Sequence, residues 1–198
     1  MSRPLSTYDD IAPHYDEAMC RLERWFFPGL REEALARLPD DSRILEVGAG
    51  TGLNFVLYPP GASGFATEPN AEMLKLARAK QTKQITLIQN CAEQLPFADA
   101  SFDAAIATLV FCSVSSPESA FQELRRVVRK GGRVILLEHV RPKGLLGPIF
   151  DVLNLLTVPL FDDHFNRRTA ETARSAGFNL IDVQKRAGGI VNLISCEV

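Results

Sequence analysis

The sequence is poor in the side chains that bind metals or form disulfides. Only three histidines and four cysteines occur in 198 residues, and no two cysteines form a CxxC pair. The cysteines are Cys20, Cys91, Cys112 and Cys196. This spacing indicates neither a metal-ligand set nor a disulfide framework. We therefore expect no metal, and a reducing, cytoplasmic compartment.

The sequence also lacks a surplus of charge and a long apolar run. A net charge of -2 argues against general nucleic-acid binding. No signal-peptide run is present, and no stretch reaches the roughly 18 uninterrupted apolar residues of a spanning helix. The most apolar stretch, 144–161, predicts a short helix that is either buried or interfacial. With Trp25, Arg21, Arg24 and Arg31 it forms either a lipid-facing surface or, as we favour, a protein cover, so peripheral membrane contact is left open.

Short apolar runs alternate with amphipathic segments along the chain, which favours βαβ units and a largely parallel sheet. Strands are predicted at 43–47, 63–67, 85–88, 102–107 and 133–138. Helices are predicted over 8–38 with a break at Pro28-Gly29, over 70–80, and over 118–129 with Gly131-Gly132 as its C-terminal cap. Two final runs, 178–185 and 190–197, flank Gly188-Gly189 and predict an antiparallel hairpin. The predicted fold is α/β and Rossmann-like, with seven mostly parallel strands and helices on both faces.

A glycine-rich turn, Gly48-Ala-Gly50-Thr-Gly52, follows the first predicted strand. Glycines permit a sharp turn and a close approach by a ligand, and ligands of open α/β sheets bind beyond the carboxyl ends of strands. The spacing is GxGxG and not the GxGxxG that is typical of a pyrophosphate loop. Glu46 opens the run and would repel a pyrophosphate, whereas it can balance the positive charge of S-adenosylmethionine (SAM). On the loop alone, a purely structural turn is the alternative.

A second acid strengthens the case for an adenosine ligand. Glu68 lies 22 residues after Glu46 (68 − 46 = 22), just past the second predicted strand. A carboxylate there can accept both ribose hydroxyls. It can equally be a favourable charge at the start of the next helix. The two roles are compatible.

Four segments in order, ILEVGAGTG, TEPNAEML, AEQLPFADASFD and RRVVRKGGRVILLEH, resemble class I SAM-dependent methyltransferases of the ubiquinone/menaquinone biosynthesis group. Within it, ILEVGAGTGLNFVLYPPG, ATLVFCSV and LLEHV are most similar to the thiol S-methyltransferases and their bacterial relatives. The resemblance implies SAM as cofactor, S-adenosylhomocysteine as product, and a small hydrophobic acceptor, with a thiol first. A phosphatidylethanolamine headgroup, and C- or O-methylation of a quinone or phenol, are the alternatives. It predicts a small-molecule or lipid partner. It does not indicate an oligomeric state.

The resemblance also implies site residues. Gly48, Ala49, Gly50 and Gly52 would line the methionyl part of SAM, Thr108 and Leu109 would lie beside it, and Glu68 would bind the ribose with Pro69 adjacent. Cys91, Ala92 and Glu93 would flank the adenine, and because most of the group has Asp at position 91, that hydrogen bond would shift to the backbone or Glu93. Tyr15 matches an N-terminal lid. With Glu46, these are the predicted cofactor contacts.

A catalytic base is optional in this chemistry, because orientation supplies most of the acceleration and a thiol ionises readily. His139 follows the fifth predicted strand and is the candidate base, with a loop-orienting role as the alternative. His164 and Cys112 are weaker candidates, and His14 is expected to be structural. One domain, 1–198, is predicted. Its parts are a lid (1–38), a SAM-binding core (39–143), a substrate-cap insertion (144–170) and a hairpin (171–198).

Overall fold

A seven-stranded sheet forms the centre of the protein. The computed structural model describes residues 5–26, 28–140 and 167–198. The strands are β1 (Arg43–Val47), β2 (Ser63–Thr67), β3 (Ile85–Ile88), β4 (Phe102–Thr108), β5 (Val128–His139), β6 (Asn179–Arg186) and β7 (Val191–Glu197). Their order is β3-β2-β1-β4-β5-β7-β6. Strands β1 to β5 are parallel, and β7 is antiparallel to both of its neighbours. The predicted fold class is confirmed.

Five α-helices accompany the sheet in the described part of the chain. They are α1 (Leu5–Phe26), α2 (Leu30–Leu35), α3 (Ala71–Lys80), α4 (Pro117–Val127) and α5 (Thr169–Ser175). The predicted break between the first two is present, because Gly29 adopts a left-handed φ of 74° before α2. Among these described helices, none combines the length and hydropathy needed to cross a bilayer. Most of the predicted cap insertion, and His164 with it, lies outside the described residues.

The predicted glycine cap of α4 is wrong. The helix ends at Val127 and β5 begins at the next residue, so Gly131 lies inside a strand. Its φ is 75°, and its N–H donates to the Val198 carbonyl at 2.9 Å. A Cβ on Gly132 would lie 2.7 Å from the Asp103 carbonyl oxygen. Strand pairing therefore overrides the local cap signal, and the glycines allow an irregular, close approach of neighbouring backbones.

Each face of the sheet carries its own hydrophobic core. One core contains Phe111, Phe121 and Phe178, whereas Leu35 of α2 belongs to the core on the other face. Parallel registry decides which polar groups share a face. Glu46 pairs with Ile106 and Thr108 pairs with Leu137, so the side chains of Glu46, Thr108 and His139 lie on the α2 face. Their strands end at the same edge.

Replacement of Phe121 by alanine should strongly destabilise the fold. The side chain is fully buried, and its ring stacks on Phe111 with centroids 4.3 Å apart. We expect Phe121→Ala to lower the free energy of unfolding by about 3–5 kcal/mol, measured by urea titration. Trp25→Ala is the matched control, because Trp25 is 80% exposed, and it should change stability by less than about 0.5 kcal/mol. Equal losses in the two variants would contradict the assigned core.

Candidate functional site

Two glycines of the turn pack closely against side chains, and the third faces open space. Gly48, Gly50 and Gly52 all have positive φ, at 69°, 55° and 82°. A Cβ on Gly48 would lie 2.5 Å from a methyl carbon of Val110, and one on Gly52 would lie 2.6 Å from the Phe55 ring. A Cβ on Gly50 would meet no described heavy atom within 4 Å. Gly50 is therefore the place where the turn can accept a ligand.

Glu68 ties this turn to the start of α3. One carboxylate oxygen accepts the Gly50 N–H and the other accepts the Asn70 N–H, both at 2.9 Å. Burial raises the pKa of Glu68, and the two N–H groups oppose that rise. The carboxylate is thus held beside the open side of Gly50, at the start of the helix. The helix-terminal location is present, and the ribose contact stays a prediction.

Glu46 lies beneath the turn and is 1% exposed. One oxygen accepts the Asn54 amide at 2.8 Å, and the other accepts the Tyr58 hydroxyl. Burial raises its pKa to about 7, although these hydrogen bonds and the charge of Arg31 oppose the rise. The side chain therefore braces the segment that follows the turn. Its predicted role as a counter-charge for SAM stays a prediction.

Arg31 joins four parts of the chain and was not predicted as a site residue. It is 8% exposed, so it does not contribute to the lipid-facing surface that was the alternative to a protein cover. Its Nη1 donates to Asn54 Oδ1 at 2.5 Å and to Thr108 Oγ1 at 3.3 Å. Its Nε donates to the two carboxylate oxygens of Glu23 at 3.0 and 3.2 Å. The available signal was its position on the apolar face of α2, where every other buried residue is hydrophobic.

Helix α1 is fastened over the site by polar contacts. Asp16 accepts a hydrogen bond from the Thr51 hydroxyl and forms an ion pair with Lys80 of α3. About two turns earlier on the helix, Asp9 accepts the Asn70 side-chain amide at 2.7 Å. These contacts join the helix to the glycine turn and to both ends of α3. The role of the helix as a lid stays a prediction.

Tyr15 lies on the same helix and is half-buried. Burial raises the pKa of its hydroxyl to about 12, while the positive charge of Arg31 lowers it and the acidic groups of Cys112 and Glu68 raise it further. The phenol is therefore neutral near pH 7 and can donate a hydrogen bond. Arg31 belongs to α2, and Glu68 lies just before α3. The covering role of Tyr15 stays a prediction.

The loop after β4 is fixed by a buried carboxylate. Glu138 is fully buried and accepts the N–H groups of Val110 and Phe111, each at 3.1 Å. Leu109 has a φ of 58°, and its N–H donates to the Leu137 carbonyl at 2.7 Å. The predicted contact residues Thr108 and Leu109 therefore lie at a rigid strand end.

His139 is the last residue of β5, half-buried and paired with Val191. It lies on the same face and at the same edge as Thr108. That is the location a base near the strand ends requires. Its catalytic role stays a prediction.

The predicted adenine segment follows β3. Cys91 is exposed and Ala92 is buried. A carboxylate oxygen of Glu93 accepts the N–H groups of Ser115 and Ser116, at 2.9 and 3.2 Å. Glu93 therefore fixes the segment just before α4. Pro69 is half-buried and precedes Asn70, the N-cap of α3. Adenine contacts by these residues stay predictions.

Comparison with known proteins agrees with this geometry. Residues 45–136 match the methyltransferase domain family. Residues 45–136 belong to that family. It is 38% identical over 150 residues to a thiol S-methyltransferase of Mus musculus, covering 71% of this chain and 62% of the relative. It is 37% identical over 113 residues to a phosphatidylethanolamine N-methyltransferase of Cereibacter sphaeroides, covering 54% and 56%.

The fold is shared with known methyltransferases along almost the whole chain. A SAM-dependent methyltransferase structure from Thermotoga maritima superposes with a TM-score of 0.72 at 24% identity, covering 97% of this chain and 98% of that one. The predicted group and the class I fold are thereby confirmed. The chain nevertheless spans less than two thirds of the length of the thiol S-methyltransferase relative. Among the described residues, no three or more potential metal ligands cluster.

Gly50→Ala should weaken SAM binding more than it weakens the fold. The new methyl group would fill the open side of the turn, so we expect SAM affinity to fall at least about tenfold by calorimetry. Gly131→Ala is the matched control, because Gly131 also has positive φ with open space beyond it. Both variants should lose about 1 kcal/mol of stability from the strained backbone. Equal SAM affinities for the two would refute the assignment of Gly50.

Glu46 should make stability depend on pH. Its pKa is higher in the folded chain, about 7, than its ordinary value of 4.5. The folded chain therefore binds that proton more tightly, and the resulting stabilisation is complete below about pH 4.5 and lost as the pH rises through about 7. The loss should be on the order of 3 kcal/mol. Glu46→Gln should remove it, so that urea titrations at pH 5 and pH 8 differ less in the variant; an unchanged difference would count against the assignment.

Proposed function

We propose that the protein is a SAM-dependent methyltransferase that acts on a small hydrophobic acceptor, with a thiol as the first candidate. The observation that carries the proposal is the open side of Gly50 beside the Glu68 carboxylate. Thr108 lies at the neighbouring strand end and α1 lies over the turn. The domain family and the class I fold support the same reaction.

The residues present fit SAM. The Glu68 carboxylate is rigidly held and can accept ribose hydroxyls in exchange for a backbone partner. The Gly50 face leaves room for the chain of the ligand. When bound, SAM supplies an electrophilic methyl group. The protein then has to hold that group and the acceptor in line and keep water away, and such orientation can contribute about 7–11 kcal/mol.

Helix α1 and the end of β4 supply the remaining requirements. Tyr15 covers the site as a neutral phenol, which excludes water and leaves a donor available. A thiol with a pKa near 8.5 is about a few per cent thiolate at neutral pH, so a base helps without being essential. We assign that role to His139, at the adjacent end of β5. The acceptor thiol loses its proton and becomes a methyl thioether, and S-adenosylhomocysteine is the second product.

A phospholipid headgroup is the second candidate acceptor. Trp25 is 80% exposed near the end of α1, and its neighbours Arg21 and Arg24 are exposed too. An exposed aromatic with adjacent cations is typical of a surface that rests on anionic lipid. The relative from Cereibacter sphaeroides methylates phosphatidylethanolamine, as its name states.

Methyl-labelled SAM separates the two acceptors. Purified protein is offered alkyl and aryl thiols in one reaction and phosphatidylethanolamine liposomes in another. Label in the thioether fraction supports the thiol. Label in the lipid fraction transfers the assignment to the headgroup. SAM binding without label in either fraction rejects both acceptors and leaves the cofactor assignment intact.

Removal of His139 should slow methylation of a thiol most at low pH. We expect His139→Gln to lower kcat/KM by about 10²-fold near pH 6.5 if the imidazole accepts the proton. The deficit should shrink above the pKa of the thiol, where the thiolate forms unaided. His14→Gln, a histidine exposed on α1, is the control and should have no effect. A deficit that is the same at every pH would identify a structural role for His139.

A further inference from the structure

Arg31 presents a buried guanidinium at the edge of the proposed SAM site. Its Nη1 points to Asn54 and Thr108, which follow the glycine turn and end β4. Its Nε and Nη2 point the other way, to Glu23 of α1. One side of the guanidinium therefore binds residues of the domain core, and the other side binds α1.

A buried guanidinium needs an anion on its free fork, since removing two charges from water is costly unless they pair well. The two acids of the core are already engaged. Glu46 accepts from Asn54 and Tyr58, and Glu68 accepts two backbone N–H groups. The anion on Arg31 is therefore Glu23, in the paired geometry that guanidinium and carboxylate prefer.

Glu23 is the more exposed member of the pair. Its side chain is 22% exposed, whereas that of Arg31 is 9% exposed. It belongs to α1, which is attached to the turn and to α3 through side-chain contacts of Asp16 and Asp9. An incoming carboxylate could take its place on the fork and preserve the charge pairing.

SAM brings such a carboxylate. We propose that Arg31 binds the carboxylate of the methionyl part of SAM, in competition with Glu23 for the guanidinium. The inference rests on the proposed function, since it presumes SAM in the glycine turn. Among the described charges that act on the Tyr15 hydroxyl, Arg31 is the cation, and Glu23 and Glu68 are the carboxylates. The carboxylate end of the ligand is therefore drawn toward α2, and the ribose end toward α3.

Calorimetry with SAM and with decarboxylated SAM tests this assignment. The analogue lacks only the carboxylate, so wild-type protein should bind it about 10- to 100-fold more weakly than SAM, as for a lost charge-assisted hydrogen-bond pair. Arg31→Gln should weaken SAM by a similar factor and leave the analogue within about threefold. Arg37→Gln, an arginine just after α2 that pairs with Glu33 and Asp182, is the control and should change neither affinity.

Two further variants keep the test decisive if Arg31→Gln fails to fold. Arg31→Lys retains the charge without the fork, and it should weaken SAM but not the analogue. Glu23→Gln removes the competing carboxylate, so SAM should bind several-fold more tightly while the analogue is unaffected. Glu17→Gln, an exposed acid on the same helix, is its control.

The outcomes separate the two proposals. If wild-type protein binds neither compound, the proposed function fails and the inference fails with it. If it binds both and the Arg31 variants weaken both equally, Arg31 is a structural brace and only the inference fails. Tighter binding of both compounds by Glu23→Gln would likewise overturn the competition between Glu23 and the ligand.

Discussion

Three carboxylates, each accepting two backbone N–H groups, order the carboxyl edge of the sheet. Glu68 accepts from Gly50 and Asn70, Glu138 from Val110 and Phe111, and Glu93 from Ser115 and Ser116. The parallel strands end at this edge, and the backbone N–H groups of the turns that follow have no neighbouring strand to pair with. Such groups need another acceptor when they are buried. Because a carboxylate offers about four lone-pair sites on its two oxygens, one side chain can accept from two donors. The turns that frame the site are rigid for this reason.

A second set of charges lies behind that edge, on the α2 face. Arg31 touches Glu23, Asn54 and Thr108, and Asn54 in turn donates to Glu46. The cluster places one permanent cation near Glu46, whose ionisation is disfavoured by burial, which raises its pKa to about 7. Such an arrangement suits a ligand that carries both a positive sulfonium and a negative carboxylate, since it offers a partner for each.

Helix α1 belongs to the same electrostatic system. Its polar contacts with the domain run through Asp9, Asp16 and Glu23, while Ala12 and Met19 are buried and Leu22 packs against the core on the α2 face. The helix is therefore held to the domain by charged and apolar contacts together.

Local patterns in the sequence determined the strands, the order of elements, the hairpin, the glycine turn and the place of Glu68. Hydrophobic periodicity and glycine spacing are short-range signals, and the sheet follows them because both faces are buried. The tertiary structure alone decided the end of α4, where pairing with Phe102 extends β5 back to Val128 and absorbs two glycines that locally indicate a cap. It alone also brought Arg31 to Asn54 and Thr108, residues 23 and 77 positions away in the chain. Burial of a charge depends on partners distant in sequence, and no local pattern contains them.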